Sequence, residues 1–239
     1  MRPRPRRGRR RGQDLARPGV TGRVDVAARS VVWSAGGVSL RLWAVKPGEL
    51  RALDRVGLTL FAARCALRVE GWLPDGAAKA WKSGLELVVR AAFTAPRDPS
   101  ELRARAGEIS NLGAVACNRL QKTDGPRGRC HNYATSALAA ALEVACEAER
   151  PKMLRWTIDA AKLSASIPAV WAHAGRVKVP KGAHAVDLAC TTMWEAIRGD
   201  IGPLAAVGVA LERARNPVQA LRNFAPLWPG ERPPWRNGP

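Results

Sequence analysis

The amino-acid sequence predicts an all-α protein. We expect an antiparallel multi-helix bundle or a short helical stack, with a disordered basic N-terminal arm and a proline-rich C-terminal tail. Apolar residues recur every three or four positions from residue 47 to about residue 225, which is the period of an amphipathic helix. The chain has 239 residues, 46% of them hydrophobic, and can bury a core without disulfide bonds. We therefore predict an arm over 1–46, one helical domain over 47–225 and a tail over 226–239.

The N-terminal arm begins with "MRPRPRRGRRRG", whose arginines repel one another and whose prolines and glycines do not form a core, so disorder is expected. One interpretation is a nucleic-acid-binding arm that contacts phosphates. The alternative is an extension upstream of the true start. Alternating residues over 20–45 predict one or two strands. The candidate nucleic-acid-binding residues are Arg2, Arg4, Arg6, Arg7, Arg9, Arg10 and Arg11.

The first three helices are predicted from spacing and from their start signals. A heptad-like apolar spacing from Pro47 predicts a helix that ends near Gly71. Asp75 is expected to cap the second helix, in which Trp81 faces the core. In "RDPSEL", Asp98 is expected to be the N-cap of the third helix, with a proline at its first position.

The later helices follow the same logic. Asn132 is expected to cap a fourth helix, whose small side chains would let neighbouring helices approach closely. Pro151 is expected to open a fifth helix, and the chain is expected to loosen from Pro168 to about residue 182. Two or three more helices are predicted over 183–198, 201–213 and 217–225.

The stretch "KTDGPRGRCHN", residues 122 to 132, is predicted to be a basic loop between the third and fourth helices. It lacks the lysine and hydroxyl pair of a phosphate-binding P-loop. It could still place cations at a helix N-terminus, where free N–H groups favour an anion. The alternative is a solvated turn. The candidate anion- or partner-binding residues are Lys122, Arg127, Arg129 and His131.

No catalytic, metal or cofactor motif is recognisable in the sequence. Cys117, Cys130 and Cys146 lack the close ligand spacing of a zinc site, so no metal is expected. His184 and Asp187 could share a helix face, but no nucleophile motif accompanies them. We therefore expect no enzyme activity and no cofactor.

The charge balance indicates the class of partner. Thirty-nine basic residues stand against 20 acidic ones, a net charge of +19, which favours acidic protein faces or nucleic acids. Arginine outnumbers lysine 31 to 8, a bias typical of a GC-rich genome. No apolar run is long enough for a membrane helix, so no membrane partner is expected. Five cysteines without close pairing favour a reducing compartment, so we expect a cytoplasmic protein.

A Cys-Ala-x-Arg-Val segment over 65–69, an aspartate in the turn that follows it and a tryptophan near the middle of the next helix give residues 50 to 165 a resemblance to small α-helical immunity proteins of bacterial polymorphic toxin systems. An alanine-rich run over 134–148 continues the likeness. The resemblance implies a cytoplasmic protein that binds and blocks a toxin without chemistry of its own. We therefore predict a non-catalytic protein-binding module, or alternatively a nucleic-acid-binding protein that uses its arm and basic helical surface. The matching residues are Cys65, Ala66, Arg68, Val69, Asp75 and Trp81.

Overall fold

A computed structural model describes residues 21–25, 30–35, 38–42, 45–96, 98–177 and 184–228. The seven arginines predicted to bind nucleic acid, within residues 2–11, lie outside these residues. The chain divides into two compact units, Met1–Leu42 and Trp43–Pro239, each of which is described by itself. The boundary lies four residues before the predicted end of the arm.

The described part of the first unit is an antiparallel sheet of three strands in the order β1-β2-β3. In its register Val24 pairs with Val31, and Trp33 pairs with Leu40. The sequence predicted one or two strands here, and the structure has three. The additional strand follows from "SVVWSA", whose β-branched and aromatic residues favour extended backbone. The strands are β1 Thr21–Asp25, β2 Ser30–Ala35 and β3 Val38–Leu42.

The second unit confirms the all-α prediction over its described residues, which form a bundle of packed helices. The core lies between α1, α4 and α5, whose facing side chains are largely alanine and leucine. None of the described helices has the length and apolar character that crossing a membrane requires. The helices are α1 Arg55–Arg68, α2 Ala78–Phe93, α3 Ser100–Leu120, α4 Gly125–Cys146, α5 Arg150–His173, α6 Ala185–Gly199, α7 Ile201–Glu212 and α8 Pro217–Asn223.

Several predicted helix boundaries are wrong, among them that of α3, which begins at Ser100 after Pro99 rather than with Asp98 as its N-cap. The first helix does not begin at Pro47: a 3-10 turn over Glu49–Ala52 precedes it, and the Asp54 side chain caps α1 by accepting the N–H of Gly57 at 2.7 Å. Asp75 does not cap α2, which begins after Ala77 without a side-chain cap. Pro168 lies inside α5, because burial in the bundle outweighs the helix-breaking tendency of proline.

The fourth helix begins eight residues earlier than predicted, at Gly125 rather than after Asn132. Asp124 is its cap: the carboxylate accepts the N–H of Arg127 at 3.2 Å. Pro126 lies in the first turn, where its missing N–H costs no helical hydrogen bond. Most of the predicted basic loop is therefore the first two turns of α4.

A buried ion cluster joins the first helix to the later part of the chain. Arg64 and Arg68, one turn apart on α1, are 0% and 4% exposed, and Asp200 between α6 and α7 is 1% exposed. Arg64 Nε and Arg68 Nη1 lie 2.8 and 2.6 Å from the same oxygen, Oδ2 of Asp200. Two guanidinium groups thus share one carboxylate, and this leaves one positive charge to be compensated.

Backbone carbonyl groups compensate the remaining charge. The other guanidinium N–H groups of Arg64 and Arg68 donate to carbonyl oxygens near the end of α6, in α8 and along the segment after α8, at 2.7 to 3.2 Å. Carbonyl groups at helix C-termini carry partial negative charge and are orphaned without such donors. We call this assembly the arginine clamp. Its carbonyl groups belong to Ala196, Leu221, Ala225, Pro226 and Leu227.

Helices α3 and α4 approach closely where glycine replaces a side chain. A Cβ atom at Gly113 of α3 would collide with the Thr135 hydroxyl and lie 3.0 Å from the Asn132 Cα on α4. A Cβ atom at Gly128 of α4 would lie 3.0 Å from the Cys117 carbonyl oxygen on α3. These two glycines therefore set the distance between the two helices.

Substitution of Asp200 tests the arginine clamp. Asp200→Asn leaves two buried guanidinium groups without the carboxylate that both contact, so we expect the free energy of unfolding to fall by about 3–5 kcal/mol. Asp187→Asn on α6 is the control, since that side chain is 72% exposed, and we expect a change within about 0.5 kcal/mol. Urea titration measures both. Equal midpoints for the two variants would contradict the role of the clamp.

Substitution of Gly113 tests the helix contact. Gly113→Ala places a methyl group against Thr135, so we expect a loss of about 1–3 kcal/mol in the free energy of unfolding. Gly107→Ala on the same helix has no heavy atom within 4 Å of the new Cβ and should stabilise by about 0.5–1 kcal/mol through helix propensity. Thermal unfolding compares them, and a stabilised Gly113→Ala variant would show that the helices are not held this closely.

Candidate functional site

The structure separates the four candidate residues of the basic stretch. Lys122, in the turn after α3, and Arg127 and Arg129, in the first turns of α4, have exposed side chains. His131 is only 7% exposed, and its Nδ1 donates a hydrogen bond to the Trp72 carbonyl oxygen at 2.7 Å. His131 therefore holds α4 against the segment after α1, and three cations remain for a partner or an anion.

A chain of contacts fixes the start of α4. The Trp72 ring meets the Trp171 ring edge to face, with centroids 4.5 Å apart. The Arg176 guanidinium lies 4.6 Å from the centroid of the Trp171 ring and donates from Nη1 to Asp124 Oδ2 at 2.9 Å. Together with the His131–Trp72 hydrogen bond, these contacts form a continuous chain. It begins at Asp124, the cap of α4, passes through Arg176, Trp171 and Trp72, and returns to α4 at His131. The start of α4 is thus anchored at two points.

The carboxylate of Asp124 occupies the position that an external anion would take at this helix N-terminus. It accepts hydrogen bonds from Arg176 Nη1 and from the N–H of Arg127. The hydrogen bond from Arg176 is the largest cause that holds the pKa of Asp124 below its ordinary value. The first turn of α4 therefore already carries its own anion.

Four helices bring their ends together at this side of the bundle. Asp124 contacts Arg176 just beyond α5, and Gly128 lies against the last turns of α3. At the opposite side, Arg55 of α1 donates to carbonyl oxygens at the ends of both α2 and α4. Since α2 and α4 end together and have 16 and 22 residues, α2 begins less than two turns beyond the start of α4, on the same side of the bundle. We call the side at which α2 and α4 begin and α3 and α5 end the basic end.

Six exposed cations lie at the basic end. None of them makes an ion pair with any residue that the structure describes. Over 111–142 the chain has four basic residues and one aspartate, whereas three glutamates follow over 143–149 at the opposite side. The basic end therefore carries uncompensated positive charge. Its cations are Lys79, Lys82, Arg119, Lys122, Arg127 and Arg129.

Sequence reasoning found three of these six cations and missed Lys79, Lys82 and Arg119. The three found lie within one short stretch, which is a visible signal in the sequence. The other three lie on α2 and near the end of α3, and only the packing of α2 alongside α4 gathers them. The signal that could have found them is their position near helix termini that should meet in an antiparallel bundle.

An exposed apolar side chain borders the basic end. Val115 of α3 is 46% exposed and lies one turn before Arg119 on the same side of the helix. Ala114 and Asn118 beside it are also exposed and small. Apolar contact area is therefore adjacent to the cations. This combination is more typical of interfaces between proteins than of surfaces that bind a phosphate backbone.

The residues considered for catalysis do not form an enclosed site. His184 Nδ1 lies 3.1 Å from Asp187 Oδ2, and both side chains are exposed. The hydroxyl of Ser164 is buried and donates to the Cys65 carbonyl oxygen, while Ser166 donates to Lys162 within its own helix. Among the described residues, the histidine–aspartate pair therefore has no adjacent serine nucleophile.

The cysteines behave as core residues. All five are free thiols. Burial raises the pKa of Cys65, Cys130 and Cys190 to about 12, so their thiolates are scarce at neutral pH. In the part of the chain that the structure describes, no group of three or more potential metal-ligating side chains is close enough to hold an ion.

A shallow cleft of about 410 Å³ lies where α2 faces the end of α7 and the start of α8. Glu86, Arg90, Glu212 and Arg215 line it together with the half-buried Phe93. The four charged side chains are exposed, so the cleft is a surface groove. It lies away from the basic end.

Comparisons of the chain with protein-family models, curated proteins and solved structures return no match. The resemblance to immunity proteins and the absence of enzyme activity therefore remain predictions. The basic end is the surface that the geometry singles out.

The pairing of Asp124 with Arg176 predicts a pH dependence. Because the folded-state pKa of Asp124 is lowered, its carboxylate stabilises the fold at neutral pH and loses this contribution as the pH falls through the folded-state value. We expect Asp124→Asn to cost up to about 1 kcal/mol at pH 7, since the pair is partly exposed. The difference from the wild type should shrink below about pH 4, the ordinary aspartate range.

Asp75→Asn is the matched control for this measurement. Asp75 is exposed and has no hydrogen bond or ion pair among the described residues. Urea titrations of both variants and the wild type, from neutral pH to about pH 2, should give a nearly constant difference for Asp75→Asn. A constant difference for Asp124→Asn as well would show that its pairing with Arg176 does not contribute.

Proposed function

We propose that this chain is a non-catalytic helical protein-binding module, whose basic end docks onto an acidic face of a partner protein in the cytoplasm. The observation that carries the proposal is the set of six exposed cations without ion pairs on rigid helix ends. Solvated cations held on a rigid scaffold steer an acidic partner and lose little conformational freedom when it binds.

Two features favour a protein over a nucleic acid as the partner of this surface. Val115 supplies apolar contact area beside the cations. In the described part of the helical unit, every aromatic side chain is buried or half-buried, so none is free to stack on unpaired bases. By its resemblance to immunity proteins, a toxin with an acidic surface is the partner we propose, and the protein would act by blocking it.

Charge reversal on α4 tests the proposal. Arg127→Glu with Arg129→Glu changes two exposed side chains near a helix N-terminus, where negative charge is tolerated, so the fold should persist. We expect the amount of partner recovered by affinity pull-down from native cell extract to fall about tenfold or more. The control, Arg213→Glu with Arg215→Glu, makes the same charge change beyond α7, away from the basic end, and should retain the partner.

Nuclease treatment of the extract separates the two classes of partner. A protein that survives nuclease and depends on Arg127 and Arg129 supports the proposal. Bound material that disappears with nuclease identifies a nucleic-acid-binding protein instead, and the proposal fails. Equal loss of the partner in both charge-reversed variants would show that total charge, rather than the basic end, governs binding.

A further inference from the structure

The three-stranded sheet of the first unit has one apolar face and one polar face. Successive residues of a strand alternate between the two faces, and residues paired across antiparallel strands share a face. The register therefore assigns every residue of the three strands to a face. Apart from Gly22, one face carries only apolar residues. Its two full cross-strand rows are completed by Val24, Val31, Trp33, Leu40 and Leu42.

Two cross-strand rows make up most of the polar face. In the first row Arg23, Val32 and Arg41 lie at the same level, so an arginine stands on each outer strand of the sheet. The outer strands lie two strand spacings apart, about 10 Å. All residues of the neighbouring row, Thr21, Ser34 and Ser39, carry a hydroxyl group. The remaining pair, Asp25 and Ser30, adds one acidic residue. We call Arg23, Val32 and Arg41 the arginine row.

The first unit carries a large excess of positive charge. Residues 1–42 contain 11 arginines, no lysine and two aspartates, which gives a net charge of +9. Nearly half of the chain's net charge of +19 thus lies in less than a fifth of its residues. Such a local excess attracts polyanions and keeps basic partners away.

The residue types of the polar face match a phosphate backbone. Arginine and hydroxyl groups are among the side chains that contact phosphate oxygens and position a nucleic acid without reading its sequence. Duplex DNA carries one negative charge per about 1.7 Å of its axis, so a row about 10 Å long meets several phosphates in any register. Trp33 belongs to the opposite face, so stacking on unpaired bases is not expected on the polar face.

We propose that the polar face of this sheet binds the phosphate backbone of a nucleic-acid duplex, with Arg23 and Arg41 each neutralising one phosphate. In an antiparallel sheet the apolar face is the one that folding covers, so the polar face can meet a charged partner. Binding is independent of base sequence and depends steeply on salt, because it releases counterions from the duplex. This function goes beyond the docking of a protein at the basic end and uses a different surface.

The salt dependence of DNA binding tests the proposal in the full-length chain. The probe is a fluorescent DNA duplex of about 20 base pairs, followed by anisotropy between about 50 and 200 mM salt. We expect the logarithm of the association constant to fall linearly with the logarithm of salt concentration, with the same slope for two unrelated base sequences. Arg23→Gln with Arg41→Gln removes two phosphate contacts, so the slope should become shallower by about 1.8.

Two further variants serve as controls. Arg213→Gln with Arg215→Gln makes the same charge change at exposed residues of the helical unit and should keep the wild-type slope. Arg23→Lys with Arg41→Lys keeps the charge of the row, so it should restore most of the slope that the glutamine variant loses. This second control separates the loss of phosphate contacts from a loss of the sheet.

Several results would overturn the proposal. They are the absence of binding at about 50 mM salt, a clear preference between the two base sequences, equal changes of slope in the row variant and the Arg213–Arg215 control, and a lysine variant as weak as the glutamine variant. A slope that becomes shallower only after Arg127→Gln with Arg129→Gln would place the duplex on the basic end instead. Capture of a protein from nuclease-treated extract does not involve Arg23 or Arg41, so either proposal can fail without the other.

Discussion

The arginine clamp is the constraint on which the helical unit depends. Arg64 and Arg68 lose nearly all contact with water, a cost that is recovered only when every guanidinium N–H finds a good acceptor. Asp200 supplies one carboxylate, and carbonyl groups from α6, from α8 and from the segment after α8 supply the rest. The first and last helices are therefore joined, although they lie more than 150 residues apart in the sequence. Residues 226–228, the described part of the predicted tail, belong to the bundle.

Arginine plays the same part elsewhere in the fold. Arg55 donates to carbonyl oxygens at the ends of α2 and α4, and Arg150 donates to those of the 3-10 turn before α1. Each guanidinium satisfies acceptors that helix ends leave orphaned. From composition alone, the excess of arginine over lysine was attributed to a GC-rich genome. A count of arginines does not distinguish those that cap helices from those that face solvent. Of the exposed arginines, Arg119, Arg127 and Arg129 lie at the basic end, whereas Arg90 and Arg213 lie elsewhere.

The presence of the helices could be predicted from the spacing of apolar residues. The residue at which each helix begins often could not, because it depends on which side chain caps the helix. The last helix begins at residue 217 as predicted, where Pro217 follows Asn216, whose side chain accepts the N–H of Gln219. Asn132 was a false cap, because Asp124 is also a good cap and precedes a proline. The burial of His131 could not be foreseen, since it depends on how the segment after α1 packs against α4.

The basic end can act as a rigid docking surface only if the helices behind it unfold together, and the arginine clamp is what makes them do so. Native-state hydrogen exchange on the amides of α1 and α8 tests this claim most directly. The account predicts that the most protected amides of both helices exchange with the same opening free energy, which equals that of global unfolding. Exchange in α8 at a much lower opening free energy than in α1 would show that the C-terminal segment detaches alone, and it would contradict the claim.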